Sequence, residues 1–406
     1  MSNTYADLRG TLTSIKNIPF TVEEILVNDI NQNVWKGFHM SPYKKRIIVI
    51  EGRIHDYYAN PETGECIDKI VSAGEWVDIP EHWAHGMFAI MESKIVYLLE
   101  GKHNPIADIN IHWSDTSFGF NLNMKNCIIS DKDTSSVFYK NYDYVVLGSN
   151  GFLGKRCTNI LKQQGFSVFE INERLENIKE IESIVKRTRS KKLICAAGVS
   201  GKPTIEWCET HEKETYDANF LGQIDIARMT NALGIHCTIF GSAGIYTGNK
   251  SEYSEEDTGD VTTKVYSKWR IALENAISVF DNVLYLRIIY PVSLDGDAKC
   301  FVTKMLGRCS NVHDISVPLT VIPSMFPLIS CLTQTTRVGV YNFVNKGTIS
   351  LPTLLELYST HIPPIVIGIN SVGEKRGAYS LSTSKLESIT KVDSVYDALV
   401  SAMKHR

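Results

Sequence analysis

The stretch Gly148-Ser149-Asn150-Gly151-Phe152-Leu153-Gly154 decides the fold of the larger part of this chain. Ahead of it, Tyr142 to Leu147 (YDYVVL) reads as a short buried strand. Behind it, Gly154 to Gln164 reads as a helix, with Cys157, Ile160 and Leu161 at helical spacing and Gly165 as its stop, and a second strand follows at Phe166 to Ile171. In such a strand–turn–helix–strand unit the glycines permit a tight turn, admit backbone N–H groups close to a pyrophosphate and let helix pack on strand, while the helix N-terminus attracts negative charge. A glycine-rich loop that binds nothing does not need this context. A dinucleotide site is therefore expected on Gly148, Asn150, Gly151, Phe152, Leu153 and Gly154. The motif begins mid-chain, so the residues before 142 need their own explanation.

The 406 residues are enough for two or three domains, each with a sizeable core. Hydrophobic residues at 43% and charged residues at 21% are ordinary for soluble globular protein, and a formal net charge of -3 without a polybasic block points to neither nucleic acid nor an anionic membrane. No apolar run approaches the length of a membrane span, and the N-terminus lacks a signal pattern, so a cytoplasmic location is expected. The nine cysteines are scattered, include no CxxC pair, and read as reduced thiols.

Up to about residue 125 short alternating or β-branched runs are separated by turns: Arg46 to Glu51, Arg53 to Tyr58, Glu75 to Ile79, Lys94 to Leu99 and Ile109 to Trp113. That rhythm predicts an all-β barrel or jelly roll over residues 1–128. Residues 129–141 are polar and read as a linker. From 142 to 406 strands alternate with helices, which predicts a doubly wound parallel sheet, followed beyond about Ser293 by a less regular part of the kind that closes over a substrate.

Within the second part, Tyr266-Ser267-Lys268-Trp269-Arg270 lies in a helical stretch, and Ser242 ends a strand 24 residues earlier. Here the chain resembles the extended short-chain dehydrogenase/reductases, and within them the 4-reductases of deoxysugar nucleotides: the bacterial dTDP-4-dehydrorhamnose reductases and the plant UDP-4-keto-6-deoxyglucose epimerase/reductases. The plant-like match is carried by Arg174-Leu175-Glu176-Asn177, by Ala196-Ala197-Gly198-Val199-Ser200-Gly201-Lys202-Pro203, by Trp207-Cys208-Glu209 and by Tyr341-Asn342-Phe343. The resemblance implies that Ser242 hydrogen-bonds the sugar ketone, that Tyr266 gives its phenolic proton to the oxygen as NADPH, or NADH, delivers hydride to carbon, and that Asn219 supports the active-site helix. It places Ala196, Ala197 and Gly198 beside the cofactor, with Arg174 at a 2′-phosphate or in an adenine-side or structural role. A free phenol titrates near 10, so the family sets a lysine one helical turn after the tyrosine. Here that position holds Arg270, which keeps the charge and can hold the cofactor ribose but cannot release a proton.

Two earlier stretches, Lys36 to Tyr43 (KGFHMSPY) and Ile79 to Gly86 (IPEHWAHG), together with Lys45, Tyr97 and Trp113-Ser114-Asp115, resemble the cupin-fold dTDP-4-dehydrorhamnose 3,5-epimerases over residues 7–120. The resemblance implies that His39 is the base, oriented by Asp115, that Lys45 stabilises the enolate, that Tyr97 returns a proton from the opposite face, and that Arg9, Lys36 and His85 contact substrate. A 4-ketone acidifies the protons at C3 and C5, so a near-neutral base, an opposing acid and a cation for the enolate oxygen are what the reaction needs. His103 stands where the family has a second tyrosine.

The expectation is a bifunctional enzyme with an N-terminal cupin and a C-terminal Rossmann domain. It would convert a UDP-linked 4-keto-6-deoxyhexose to UDP-L-rhamnose as a homodimer, with no nucleic-acid or membrane partner. The same chemistry on the 2-acetamido series, giving UDP-L-RhaNAc, stays open. Metal ligation by His39, His82 and His85 is the rival for the first domain, but the related epimerases work without metal and none is expected; a wholly structural cupin is another reading. The alternative of another class is a non-catalytic NADP-binding regulator, because a reductase-like fold also serves as the regulatory subunit of methionine adenosyltransferase. Arg270 favours that reading, while His39, Asp115, Ser242 and Tyr266 oppose it.

Overall fold

Alternation of apolar residues shapes the first half of the chain. The computed structural model describes residues 3–7, 10–14, 17–120, 122–201, 204–306, 311–359, 368–370 and 378–404. Contacts divide it into one unit of residues 1–141 with 186–189, and another of 142–185 with 190–406. The first unit opens with a hairpin of β1 (Asn3–Asp7) and β2 (Gly10–Ser14). Then come β3 (Glu24–Ile30), β4 (Trp35–Met40), β5 (Lys45–Glu51), β6 (Arg53–Ala59), β7 (Cys66–Ser72), β8 (Trp76–Ile79), β9 (Ala84–Ala89), β10 (Ser93–Leu99) and β11 (Ile109–Ile111). They form two antiparallel sheets, β3-β10-β5-β8 and β11-β4-β9-β6-β7. Successive strand residues face opposite sides, and Ile47 and Val49, Ile54, Met87 and Ala89, and Ile95 send one set of side chains into a shared core. This is the expected jelly-roll domain, with more strands than the sequence runs had marked.

The segment read as a linker, 129–141, clusters with this first unit. Ser130 caps a short helix, α1 (Asp131–Thr134), Phe138 is 1% exposed, and Ile129 and Tyr139 pack against the Trp35 and Phe38 cluster. Most of its polar residues face outward, but Ser136 is buried and Val137 accepts a backbone bond from His112, which ties the segment to the sheet.

The second unit is built on a six-stranded parallel sheet. Its strands are β12 (Tyr144–Leu147), β13 (Val168–Ile171), β14 (Lys192–Cys195), β15 (His236–Ser242), β16 (Val283–Ile288) and β17 (Gly339–Asn342), in the order β13-β12-β14-β15-β16-β17. Every residue of β12 and β16 is buried, as expected of strands covered on both faces. Tyr144, Val146 and Leu286 pack on one layer, which includes α2 (Phe152–Gln163). Val145, Leu147 and Tyr285 pack on the other, with α3 (Ile178–Thr188), α4 (Gly222–Ala232) and α5 (Val265–Ile277). The sequence-expected helix from Tyr216 to Leu233 is interrupted by a π-helical turn, Asp217–Leu221, and π-turns often mark functional positions. Strand order reverses between β12 and β14, so the crevice at their carboxyl ends is where such a sheet holds ligands. Among the described residues no helix is long and apolar enough to cross a membrane.

Candidate functional site

The glycine motif sits in that crevice. Gly148 has a φ of 80°, and a Cβ there would lie 2.8 Å from the Ala197 amide nitrogen; a Cβ on Gly154 would lie 2.2 Å from the Gly148 carbonyl oxygen. Both contacts require glycine for the turn and for the approach of α2 to the sheet. No side chain caps α2, so the amides of its first turn, beginning at Phe152 and Leu153, remain available to an anion. Asn172, which follows β13, accepts from the Asn150 amide at 2.8 Å and the Ser149 hydroxyl at 3.1 Å, which fixes the loop. An acidic residue at this place favours a free ribose 2′-hydroxyl; a neutral amide does not repel a 2′-phosphate. The sequence reading did not name Asn172. Arg174 is 82% exposed and lies 3.8 Å from Glu176. These groups fit a nicotinamide dinucleotide. Gly154→Ala is expected to weaken NADPH binding by at least about tenfold, equal to 1.4 kcal/mol; an unchanged affinity in a fluorescence titration would remove the cradle from the account.

Around the far end of the crevice stand the expected reductase residues. Ser242 ends β15, with its Oγ accepting from the Gly244 amide at 3.1 Å. Tyr266 begins the first turn of α5 and is 8% exposed. The Arg270 guanidinium lies one turn on, 5.3 Å from the centre of the Tyr266 ring, and Lys268 turns away to pair with Glu212 at 3.1 Å. Asn219, on the π-turn, is fully buried. Its side chain donates to the Val199 carbonyl at 2.7 Å and accepts from the Val199 amide at 2.9 Å, clamping the loop after Ala196-Ala197-Gly198. Gln223, absent from the sequence reading, donates to the Ala197 carbonyl at 2.6 Å from α4.

In the first unit the strand period brings His39, Lys45, Asp56, His85 and Tyr97 together. Lys45 shares a face with Ile47, Asp56 with Ile54, His85 with Met87 and Tyr97 with Ile95, so all project into the interior lined by the apolar core. His39 pairs in register with His85, and their rings meet edge to face at 5.7 Å. The His39 Nδ1 faces the Gly37 carbonyl at 3.1 Å, which makes Nδ1 the protonated nitrogen and leaves Nε2 free to accept. Burial, followed by the nearby Lys45 and His85, holds His39 well below the usual histidine range, so it stays neutral with its Nε2 lone pair unprotonated. Burial also lowers Lys45, to about 8, against the opposing pull of Asp108 and Asp56. The Tyr97 phenol is pushed upward by burial and keeps its proton. Lys36 is lowered by burial, with Asp133 opposing.

One expected partnership is absent. Asp115 does not orient His39: its Oδ1 accepts from the Ser117 amide at 3.0 Å and hydroxyl at 2.6 Å, and its Oδ2 from the Tyr139 amide at 2.6 Å. It caps a short 3-10 turn, and both of its oxygens are engaged. The buried carboxylate beside the histidines is Asp56, whose Oδ1 lies 2.7 Å from the His85 Nε2. Period-two alternation had the signal, since Asp56 falls between core-facing Ile54 and Tyr58. His82 is exposed on a turn, apart from the interior pair, and no metal-binding cluster occurs among the described residues. Arg9 lies outside the described residues.

Comparison with known proteins agrees with this division. Residues 11–141 match the family model of dTDP-4-dehydrorhamnose 3,5-epimerase, and residues 143–319 match that of the RmlD substrate binding domain. The bifunctional dTDP-4-dehydrorhamnose 3,5-epimerase/dTDP-4-dehydrorhamnose reductase of Arabidopsis thaliana is 27% identical over 245 residues, 58% of this chain and 80% of its own. A trifunctional UDP-glucose 4,6-dehydratase/UDP-4-keto-6-deoxy-D-glucose 3,5-epimerase/UDP-4-keto-L-rhamnose-reductase of the same plant is 24% identical over 382 residues, and the alignment covers 88% of this chain and 56% of that enzyme's length. Among solved structures, the L780 UDP-rhamnose synthase of Acanthamoeba polyphaga mimivirus shares the fold, with a TM-score of 0.60 and 23% identity over 64% of this chain and 98% of that one. A dTDP-4-dehydrorhamnose reductase of Bacillus anthracis with this fold, 15% identical with a TM-score of 0.57 over 66% of this chain and 100% of that one, was solved in complex with NADP. The chain is a fusion of a dTDP-4-dehydrorhamnose 3,5-epimerase family domain with an RmlD-type reductase domain, the two enzyme types of nucleotide-sugar rhamnose synthesis.

Proposed function

We propose that the chain takes UDP-4-keto-6-deoxy-D-glucose, inverts C3 and C5 in its first domain, and reduces C4 with NADPH in its second, giving UDP-L-rhamnose. The observation that carries this reading is the gathering of His39, Lys45, His85 and Tyr97 in one buried interior on a chain that also carries the Ser242, Tyr266 and Arg270 set. The UDP assignment draws support from the plant-like motifs and from the name of the trifunctional plant relative.

In the first domain the free Nε2 of His39 removes the proton next to the ketone. The Lys45 ammonium receives the charge that develops on the carbonyl oxygen, and Tyr97 returns a proton from the other side. Asp56 fixes His85 and keeps negative potential beside Lys45, which holds that ammonium charged in a dry interior. In the second domain the Ser242 hydroxyl donates to the ketone oxygen, and Tyr266 gives that oxygen its proton. Arg270 keeps a positive charge against the phenol throughout. NADPH, when bound, supplies the hydride.

A pH test follows from Lys45. Its lowered value means the ammonium is present below about 8 and lost above it, so epimerisation should fall along an alkaline limb near pH 8. Asp56→Asn removes an opposing negative charge and should move that limb to lower pH; deuterium exchange measured against pH checks both, and a limb unmoved by the substitution would separate Asp56 from Lys45.

The reading extends to assembly and location. Ile25 and Val27, 60% and 64% exposed, share one face of the edge strand β3, an apolar pair suited to burial between two copies in a homodimer. Sedimentation at equilibrium tests it, and a monomer at micromolar concentration contradicts it. The described cysteines are free thiols, which supports the cytoplasm as the compartment.

A further inference from the structure

The segment that leaves β14 at the crevice is gripped by side chains of α4 and the π-turn before it. Ala196 donates its amide to the Leu147 carbonyl at 2.9 Å, which carries the sheet pairing one residue further. The backbone of Ala197 then lies directly on the cradle, since a Cβ on Gly148 would stand 2.8 Å from the Ala197 nitrogen and 2.9 Å from its Cα. The carbonyl oxygen of the same residue is taken by Gln223 on α4, whose Nε2 donates to it at 2.6 Å. Gly198, next in the chain, is set among three polar atoms. A Cβ there would stand 3.0 Å from Asn219 Oδ1, 3.3 Å from Arg270 Nη2 and 3.4 Å from Gln223 Nε2. Asn219 holds Val199 through both its amide and its carbonyl, so Gln223 and Asn219 fix the segment on either side of Gly198.

Gln223 is 1% exposed, and its Oε1 has no hydrogen-bond partner among the described residues. Its nitrogen faces two carbonyls, that of Ala197 and, at 3.4 Å, that of Ala218, so the surroundings fix which end of the amide donates. A buried acceptor left unpaired is costly, and a side chain that only filled this space would carry no such cost. The crevice is suited to an anionic pyrophosphate, and a carbonyl dipole free to turn toward it would repel that charge. We propose that Gln223 is a positioning residue for the dinucleotide: by keeping the Ala197 carbonyl against α4 it fixes the backbone that lies on Gly148, and so sets the affinity for NADPH. This rests on the reductase reading above. Arg270 has its own bonds, to the Phe240 carbonyl at 3.2 Å and to Asn219 at 3.4 Å, so its place beside Tyr266 does not depend on the Gln223 amide.

The test uses full-length Gln223→Met, which keeps the reach of the side chain and removes the donor. NADPH affinity is read by fluorescence titration, kcat and the KM for NADPH by ketone reduction, and folding by thermal melting without cofactor. The variant is expected to bind NADPH about tenfold more weakly, the scale of one lost hydrogen bond. Its KM for NADPH should rise by the same factor while kcat at saturation stays within about twofold, the pattern of an interaction that serves binding rather than the chemical step. A residue that only stabilised the fold would lower the melting temperature and the active fraction, and leave the affinity of the folded fraction unchanged. Wild-type affinity in folded Gln223→Met, or a loss confined to kcat, would overturn the proposal. If Gln223→Met does not fold, Gln223→Asn, whose amide ends one methylene short, is judged by the same results. A wild-type chain that binds no NADPH overturns the reductase reading instead, whereas wild-type binding matched by the variant overturns only the role of Gln223.

Discussion

Tyr266→Phe is expected to lower NADPH-dependent reduction of the 4-ketone by about a thousandfold, in the middle of the range that a positioned general acid supplies. Only the phenolic proton is removed. The ring stays against Arg270, and Ser242 and the glycine cradle are untouched, so NADPH affinity should hold within about twofold; substitutions that keep shape and remove one reacting group act on the transition state rather than on binding. Deuterium exchange at C3 and C5 should continue, because His39, Lys45 and Tyr97 belong to a separate unit. Exchange that vanishes together with reduction would mean one shared site.

His39→Ala should reverse the pattern. Loss of the imidazole whose neutral Nε2 is free near Lys45 should cut exchange at C3 and C5 by about a thousandfold. Reduction of separately prepared UDP-4-keto-L-rhamnose should proceed at the wild-type rate, which also controls for folding. Normal output of the L-sugar from UDP-4-keto-6-deoxy-D-glucose would show the first domain to be dispensable.

The parts of this account that were legible in the sequence are those governed by local rules. Glycines at 148 and 154 with a strand before and a helix after imply the cradle, and the structure shows why: each site leaves no room for a Cβ. Alternation in Arg46 to Glu51 and Lys94 to Leu99 implied strands, and pairing places Lys45 and Tyr97 on one interior face. Strands β3, β4, β7 and β9 escaped notice because charges, glycines and histidines interrupt their alternation, as in Trp35–Met40 and Ala84–Ala89. Those interruptions are the site itself.

What stayed hidden depends on distant contacts. Asp115 matched a family motif, but which atoms its carboxylate meets is set by Ser117 and Tyr139, the latter 24 residues away. Alternation alone puts Asp56 on the core side between Ile54 and Tyr58, but its partner His85 lies on another strand and shows only in the structure. The segment from 129 to 141 is polar enough to read as a linker, yet the buried Phe138 and the backbone bonds of Val137 and Tyr139 anchor it to the first unit.

The central claim is that one chain performs both epimerisation and reduction on a UDP-linked sugar. Incubating it with NADPH and, separately, UDP-4-keto-6-deoxyglucose, the dTDP-linked counterpart and the 2-acetamido analogue, then reading each product by NMR, fixes nucleotide, C2 substituent and stereochemistry together. The account predicts NADPH oxidation with the UDP-linked 6-deoxy sugar and a product inverted at C3 and C5 with a hydroxyl at C4, UDP-L-rhamnose. A product reduced at C4 without inversion, or no oxidation above background with any of the three, would contradict it.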